Sequence, residues 1–201
     1  MKTTLTIAAV LLVTALLLGA NKFLPDIQLT LNGNYYINGL LKYQLFALVI
    51  ATVVVLLTIK ISPGSKTLLT FGNMKVIAAK EKWLGISGKS SWKSDGIQLL
   101  LFISLATGIF MYMGLRDTGH ISNFQWTFIP FILLFSLTNS FSEEMIYRFA
   151  INGNLVNETS KQTVLIVSAI LFGLPHYMGY PNGIVGVIMA GILGYVLSKS
   201  T

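Results

Sequence analysis

The chain contains no cysteine, and only 10% of its 201 residues are charged. The first absence removes disulfides, thiolate nucleophiles and cysteine-type zinc sites together, while leaving the compartment open. The second argues against a soluble domain of this size, because 54% of the residues are hydrophobic and the mean hydropathy is +0.72. Apolar stretches long enough to cross a bilayer recur near residues 4–20, 43–59, 96–114, 130–154, 160–179 and 182–198. The expected fold is all-α, a polytopic transmembrane helical bundle of about six helices. It forms one integral membrane domain over residues 1–201, with no room for a separate soluble domain. No repeat or low-complexity tract stands out.

The first apolar run, Leu5 to Leu18, is long for a signal peptide, and Leu18-Gly-Ala-Asn21 is only a passable cleavage site, so the segment is expected to remain as a helix. The net charge of +7 is concentrated rather than spread. Seven lysines (Lys60, Lys66, Lys75, Lys80, Lys82, Lys89 and Lys93) fall in one connection, against Glu81 and Asp95. By the positive-inside rule that connection and the N-terminus are cytoplasmic. The connections near 21–42 and 115–125 are then external, and the one near 155–160 is cytoplasmic. Anionic headgroups of the lipid bilayer, not nucleic acid, are the expected partners of these lysines. A substrate-recruiting role for the same connection stays open, and Trp83, Leu84 and Trp92 are placed at the membrane interface.

Two adjacent acids interrupt the fourth apolar stretch, in Phe141-Ser-Glu-Glu-Met-Ile-Tyr-Arg148, and Pro130 to Ser142 carries no charge. Each acid costs several kcal/mol within a bilayer unless it is paired, solvated or protonated. Pro130 suits a helix start, and a helix running to about Asn154 is roughly 37 Å long with Glu143 near its midpoint. Glu144 and Arg148 are four apart and share a face, so an intrahelical ion pair is expected. Glu143 points roughly 100° away and is left free for other work. Asn139, one turn earlier, either orients Glu143 or bonds another helix.

After a turn where Thr159 or Ser160 can cap, the next helix carries Pro175 and His176. Counted from the hairpin, Glu143 is on the order of 16 Å deep and His176 on the order of 24 Å, a mismatch that tilt and a kink at Pro175 can shrink. A carboxylate facing an imidazole inside a membrane is suited to activating water. Gly186, Ala190 and Gly194 form a small-residue face, read as internal helix packing. Pro181-Asn-Gly183 is a turn. Asn157-Glu-Thr159 fits a glycosylation sequon, on the side expected to be cytoplasmic.

Glu143-Glu144-x-x-x-Arg148 followed by Phe172-x-x-x-His176 resembles the first two motifs of the CPBP family. That family includes the bacterial Abi and CAAX-protease-like proteins and the eukaryotic Ras-converting CAAX endopeptidase. With the glycine-bearing helix at Gly183–Leu197, the resemblance covers residues 125–201. It implies a hydrolase of the intramembrane protease type, in a multi-pass protein of the bacterial cytoplasmic membrane. Glu143 would be the general base, and His176 its partner in orienting water or binding metal. Glu144 and Arg148 would support the site, and Phe172 would pack the cavity wall. Members are often called metalloproteases, so a divalent metal such as zinc is implied by resemblance only. One histidine with carboxylates is a thin set beside the three protein ligands usual for catalytic zinc, and the cofactor stays unknown.

Family members usually carry a later helix with a further His and an Asn or Asp. This sequence reaches Thr201 about where that helix is expected to begin. The other histidine, His120, precedes the glutamates in an external connection, and Phe149 stands where many relatives have Gly. The expected function is a glutamate-dependent endopeptidase acting on membrane-associated peptide or protein substrates. Two alternatives stay open. One is a catalytically inactive relative serving as a membrane scaffold or immunity-type partner, which the incomplete motif set favours. The other is a carrier using the acid and histidine as a proton relay, although no inverted two-half symmetry is visible. Substrate identity and oligomeric state are not legible.

Overall fold

The computed structural model describes residues 2–70, 72–117, 125–179 and 181–199. Among them the regular structure is all helical, as the composition required, with two isolated bridges and no strand. The chain divides into two compact units, Met1–Leu69 with Gln125–Thr201, and Thr70–Phe124.

The first unit begins with α1 (Lys2–Phe23) and α2 (Tyr35–Ile61), both long and apolar enough to cross a membrane. Hydropathy placed the second span from about residue 43, but the helix starts at Tyr35. Its start is set by a cap rather than by apolarity: the Asn34 side chain accepts from the N–H groups of Tyr36 and Ile37 at 3.0 and 3.2 Å. The connection before it is tied to α2 by the buried Lys42, whose Nζ donates to the carbonyls of Pro25 (3.1 Å) and Ile27 (2.6 Å).

After α3, in the second unit, α4 (Ile129–Glu143) has Pro130 in its first turn, where a missing N–H costs nothing. Sequence reading expected one regular helix from Pro130 to about Asn154, and the structure corrects this. The chain widens into a π-helical turn over Glu144–Phe149 before resuming as α5 (Ala150–Leu155). At its end the Ala150 N–H bonds the Met145 carbonyl, five residues back. Ser160 caps α6 (Lys161–Gly173) by accepting from the Thr163 N–H at 3.1 Å. The expected α-helix through His176 ends early. Pro175 has no N–H to continue the ladder, and Leu174–Met178 is a 3₁₀ turn. The last helix is α7 (Gly183–Lys199), apolar but shorter than a full span.

The core joins α1, α2, the π turn, α5, α6 and α7 through Val10, Ala47, Ile146, Tyr147, Ile151, Leu171, Phe172 and Ala190. α6 and α7 pack most closely, and the small-residue face of α7 is spent inside the bundle. A methyl group on Gly194 would lie 3.0–3.2 Å from the Phe172 side chain, and one on Gly186 would collide with the carbonyls of Pro181 and His176. Buried Ser168 donates to the Tyr147 carbonyl of the π turn at 2.9 Å and accepts from the Ser198 hydroxyl at 2.7 Å. Ser168→Ala leaves both groups unpaired, so a loss of about 1–3 kcal/mol is expected. The check is a lowered thermal midpoint in detergent, with Ser168→Thr less affected.

Two contacts mark one end of this unit. Lys2 Nζ pairs with Glu158 Oε1 at 3.0 Å, and Ser62 Oγ donates to Asn154 Oδ1 at 3.0 Å. They gather the start of α1, the end of α2 and the connection after α5. Lys22 and Tyr35 are at the opposite ends of their helices.

In the second unit, residues 74–93 fold back on themselves: the Ala78 N–H bonds the Ser90 carbonyl at 2.9 Å and the Trp92 N–H bonds the Val76 carbonyl at 3.0 Å. Lys75, Lys80, Lys82, Lys89 and Lys93 are exposed on this segment. It leads into α3 (Trp92–Asp117), the third helix long and apolar enough to cross a membrane. None of the most apolar stretch of α3 is buried by protein.

Candidate active site

A cavity of about 410 Å³ lies between α1, α2, the end of α4, the π turn and the 3₁₀ turn after α6. Its deep wall is made of buried Leu17, Ala47, Ser142, Ile146 and Tyr147, and its rim of exposed Asn21, Lys22, Met178 and Gly179. Glu143 and His176 both line it. The two motif residues, 33 positions apart in sequence, are therefore brought to one space, close enough for their charges to act on one another. The expected difference in depth does not keep the two residues from lining the same cavity.

Each side chain is held by its own element. Asn139 Nδ2 donates to Glu143 Oε1 at 2.8 Å from one turn earlier on α4. Of the two roles open to Asn139 in the sequence, orienting Glu143 is the one observed. His176 Nδ1 lies 2.9 Å from the Phe172 carbonyl. A carbonyl only accepts, so Nδ1 carries a proton and donates it to Phe172. The Phe172 ring is tilted against His176 at 5.2 Å and meets Tyr147 edge-on at 5.9 Å. Phe172 thus braces the cavity wall from behind. Glu144 and Arg148 form the expected ion pair within the π turn, and neither lines the cavity. His120 is outside the described residues.

Several polar residues of the cavity, Thr14, Tyr43, Ser142 and Tyr147 among them, were not singled out from sequence. Tyr147 donates from its hydroxyl to Thr14 Oγ1 at 2.8 Å, because Thr14 spends its own proton on the Val10 carbonyl. Tyr43 reaches the cavity from α2, and Ser142 reaches it from the position before Glu143. Only Ser142 and Tyr147, inside the acidic motif segment, had any sequence signal. Tyr43 lies near the start of an apolar run and has none.

The fit of a metal follows from the donor set. Among the described residues no three His, Asp or Glu side chains converge. Glu143 and His176 offer two donors, and Glu144 is engaged by Arg148. This falls short of a three-ligand zinc centre.

A carboxylate and an imidazole on the wall of one cavity within an apolar helical bundle are groups suited to acid–base work on water. Residues 125–201 match the family model described as type II CAAX prenyl endopeptidase Rce1-like, which bears out the resemblance carried by the motif residues. With the three apolar helices, it identifies an integral membrane protein. No curated protein matches the chain, and no solved structure does.

Proposed function

We propose that this protein is an intramembrane endopeptidase in which Glu143 is the general base that activates water, while His176 orients the water or the substrate carbonyl. One observation carries the reading: Glu143, held by Asn139, and His176, held by the Phe172 carbonyl, line a single cavity. The similarity of residues 125–201 to a CAAX endopeptidase model supports it. Leu17, Leu18, Ala47 and Ile146 give the cavity apolar walls, which suit an apolar or lipid-modified peptide more than a polar one. The test is turnover of a panel of fluorescence-quenched peptides, with and without a prenyl group, by the chain in liposomes. Cleavage that depends on Glu143 supports the reading. Cleavage unaffected by substitution of Glu143 removes the glutamate from the chemistry, and none across the panel by folded protein favours a noncatalytic membrane partner.

Charge and the two end contacts support a topology with the Lys2–Glu158 end of the bundle in the cytoplasm, together with Lys60 and Lys66. The cavity rim, at Asn21 and Lys22, then opens in the opposite half of the membrane. Because the chain has no native thiol, single cysteines report this directly. A membrane-impermeant maleimide on intact cells is expected to label Lys22→Cys at once and Lys66→Cys only after the membrane is opened. The reverse pattern would invert the topology.

A further inference from the structure

We infer that Tyr43 is a further catalytic residue of this site: its phenolic hydroxyl donates to the carbonyl oxygen of the scissile bond as negative charge builds there. The inference rests on the endopeptidase reading and adds to it the group that receives the charge.

Among the described residues, the hydroxyl side chains bordering the cavity are those of Thr14, Tyr43, Ser142 and Tyr147. Three of them are not open to a substrate. Thr14 gives its proton to the Val10 carbonyl, and Tyr147 gives its own to Thr14 Oγ1, both at 2.8 Å. Ser142 borders the cavity, but its Oγ is sealed off by the surrounding protein. Tyr43 is only half-buried, and its hydroxyl makes no hydrogen bond among the described residues. It is the one hydroxyl of the four that is both exposed to the cavity and uncommitted.

The backbone that carries Tyr43 is fixed on both sides. Lys42, just before it, is buried and donates to the carbonyls of Pro25 and Ile27. Gln44, just after it, is buried and accepts at Oε1 from the Thr138 hydroxyl of α4 at 2.7 Å. Thr138 in turn precedes Asn139, which holds Glu143. α2 is thus fastened to α4 beside the phenol and beside the residue that orients the base. The Tyr43 hydroxyl is close enough to feel the Glu143 charge, yet the two share no hydrogen bond. A peptide carbonyl in the cavity therefore has the base on one wall and the phenol on another.

The neutral His176 ring does not compete for the carbonyl oxygen. Its one N–H is then the Nδ1–H given to Phe172, and Nε2 can only accept, which suits water. Tyr43 at the carbonyl leaves His176 to the water.

The step balances without a further reactant. Water adds to the carbonyl carbon and gives a proton to the Glu143 carboxylate. The C=O π pair moves onto oxygen, which accepts from Tyr43 Oη–H. The carboxylic acid of Glu143 then protonates the amide nitrogen, the C=O re-forms, and the C–N bond breaks to give a carboxylic acid and an amine. A donor fixed in advance at a developing oxyanion acts on the transition state more than on bound substrate.

The experiment compares the full chain in liposomes with Tyr43→Phe and Glu143→Gln, using a peptide that the unaltered protein cleaves. Tyr43→Phe is expected to lower kcat by about 10²-fold with KM within about threefold. Binding of a peptide phosphonate of the same sequence, whose tetrahedral oxygens mimic the intermediate, should weaken by a similar factor. The thermal midpoint should be unchanged, because the phenolic hydroxyl makes no bond in the resting fold. Normal kcat in Tyr43→Phe, beside a Glu143→Gln variant without activity, overturns this inference and leaves the endopeptidase standing. So does a lowered kcat with phosphonate affinity intact, or with a lowered midpoint, since the hydroxyl would then serve something other than the oxyanion. Folded unaltered protein no more active than Glu143→Gln overturns both.

Discussion

Glu143→Gln is expected to lower peptide turnover by about 10³-fold while leaving the fold and KM nearly unchanged. The substitution keeps the shape of the side chain, and its amide oxygen can still accept from Asn139 Nδ2, now at 2.8 Å from the carboxylate. The ability to take a proton from water is lost. Because an amide is also cheaper to bury than a carboxylate, the thermal midpoint should not fall. Asn139→Ala tests the same geometry from behind: the base remains but is no longer held, so kcat should drop by about tenfold. An unaltered rate in Glu143→Gln would remove the glutamate from the chemistry, whatever the resemblance of the motif.

The second large effect is on stability. Arg148→Met should destabilise the protein by on the order of 2 kcal/mol, because Glu144 is left as an unpaired acid within the bundle. The figure is set below that for a fully buried pair because the Arg148 and Glu144 side chains keep 24% and 31% of their exposure. The pair spans the π turn, so the loss should appear first as loosening of Glu144–Phe149, the segment directly after Glu143. Glu144→Gln together with Arg148→Met should recover most of the midpoint, since no charge is then stranded. A double variant as unstable as Arg148→Met alone would mean that the arginine acts by packing rather than by pairing. Neither side chain lines the cavity, so any loss of activity in the double variant should follow its stability.

Features confined to a few consecutive residues were legible in the sequence. Glu144 pairs with Arg148 as expected, Ser160 is the one of two candidate caps that serves α6, and Asn139 takes the first of the two roles left open to it by reaching Glu143. In each case partners three or four apart on one helix must meet, whatever surrounds them. The small-residue face of α7 was legible for a related reason: Gly186 and Gly194 permit close approach, and α6 with its following turn uses it. The early start of α2 at Tyr35 was not read, although its signal was present. A polar cap at Asn34 outweighs hydropathy, which measures where lipid is tolerated and not where backbone hydrogen bonds begin.

By itself the sequence determined that the protein is helical and membrane-embedded, that its two acids divide into a paired one and a free one, and that residues 125–201 carry a protease-like motif pair. Those properties depend on composition and on contacts within a helix. Only the tertiary structure decided that Glu143 and His176 share a cavity, that Tyr43 joins them from α2, and that Ser142 keeps a hydroxyl unspent. Their placement depends on how α2, the end of α4 and the 3₁₀ turn after α6 pack together. That packing is held by contacts between distant segments, such as Ser168 at the Tyr147 carbonyl and Phe172 against Tyr147. Periodicity along one segment holds no record of such partners, because they come from distant parts of the chain and act only when the bundle closes.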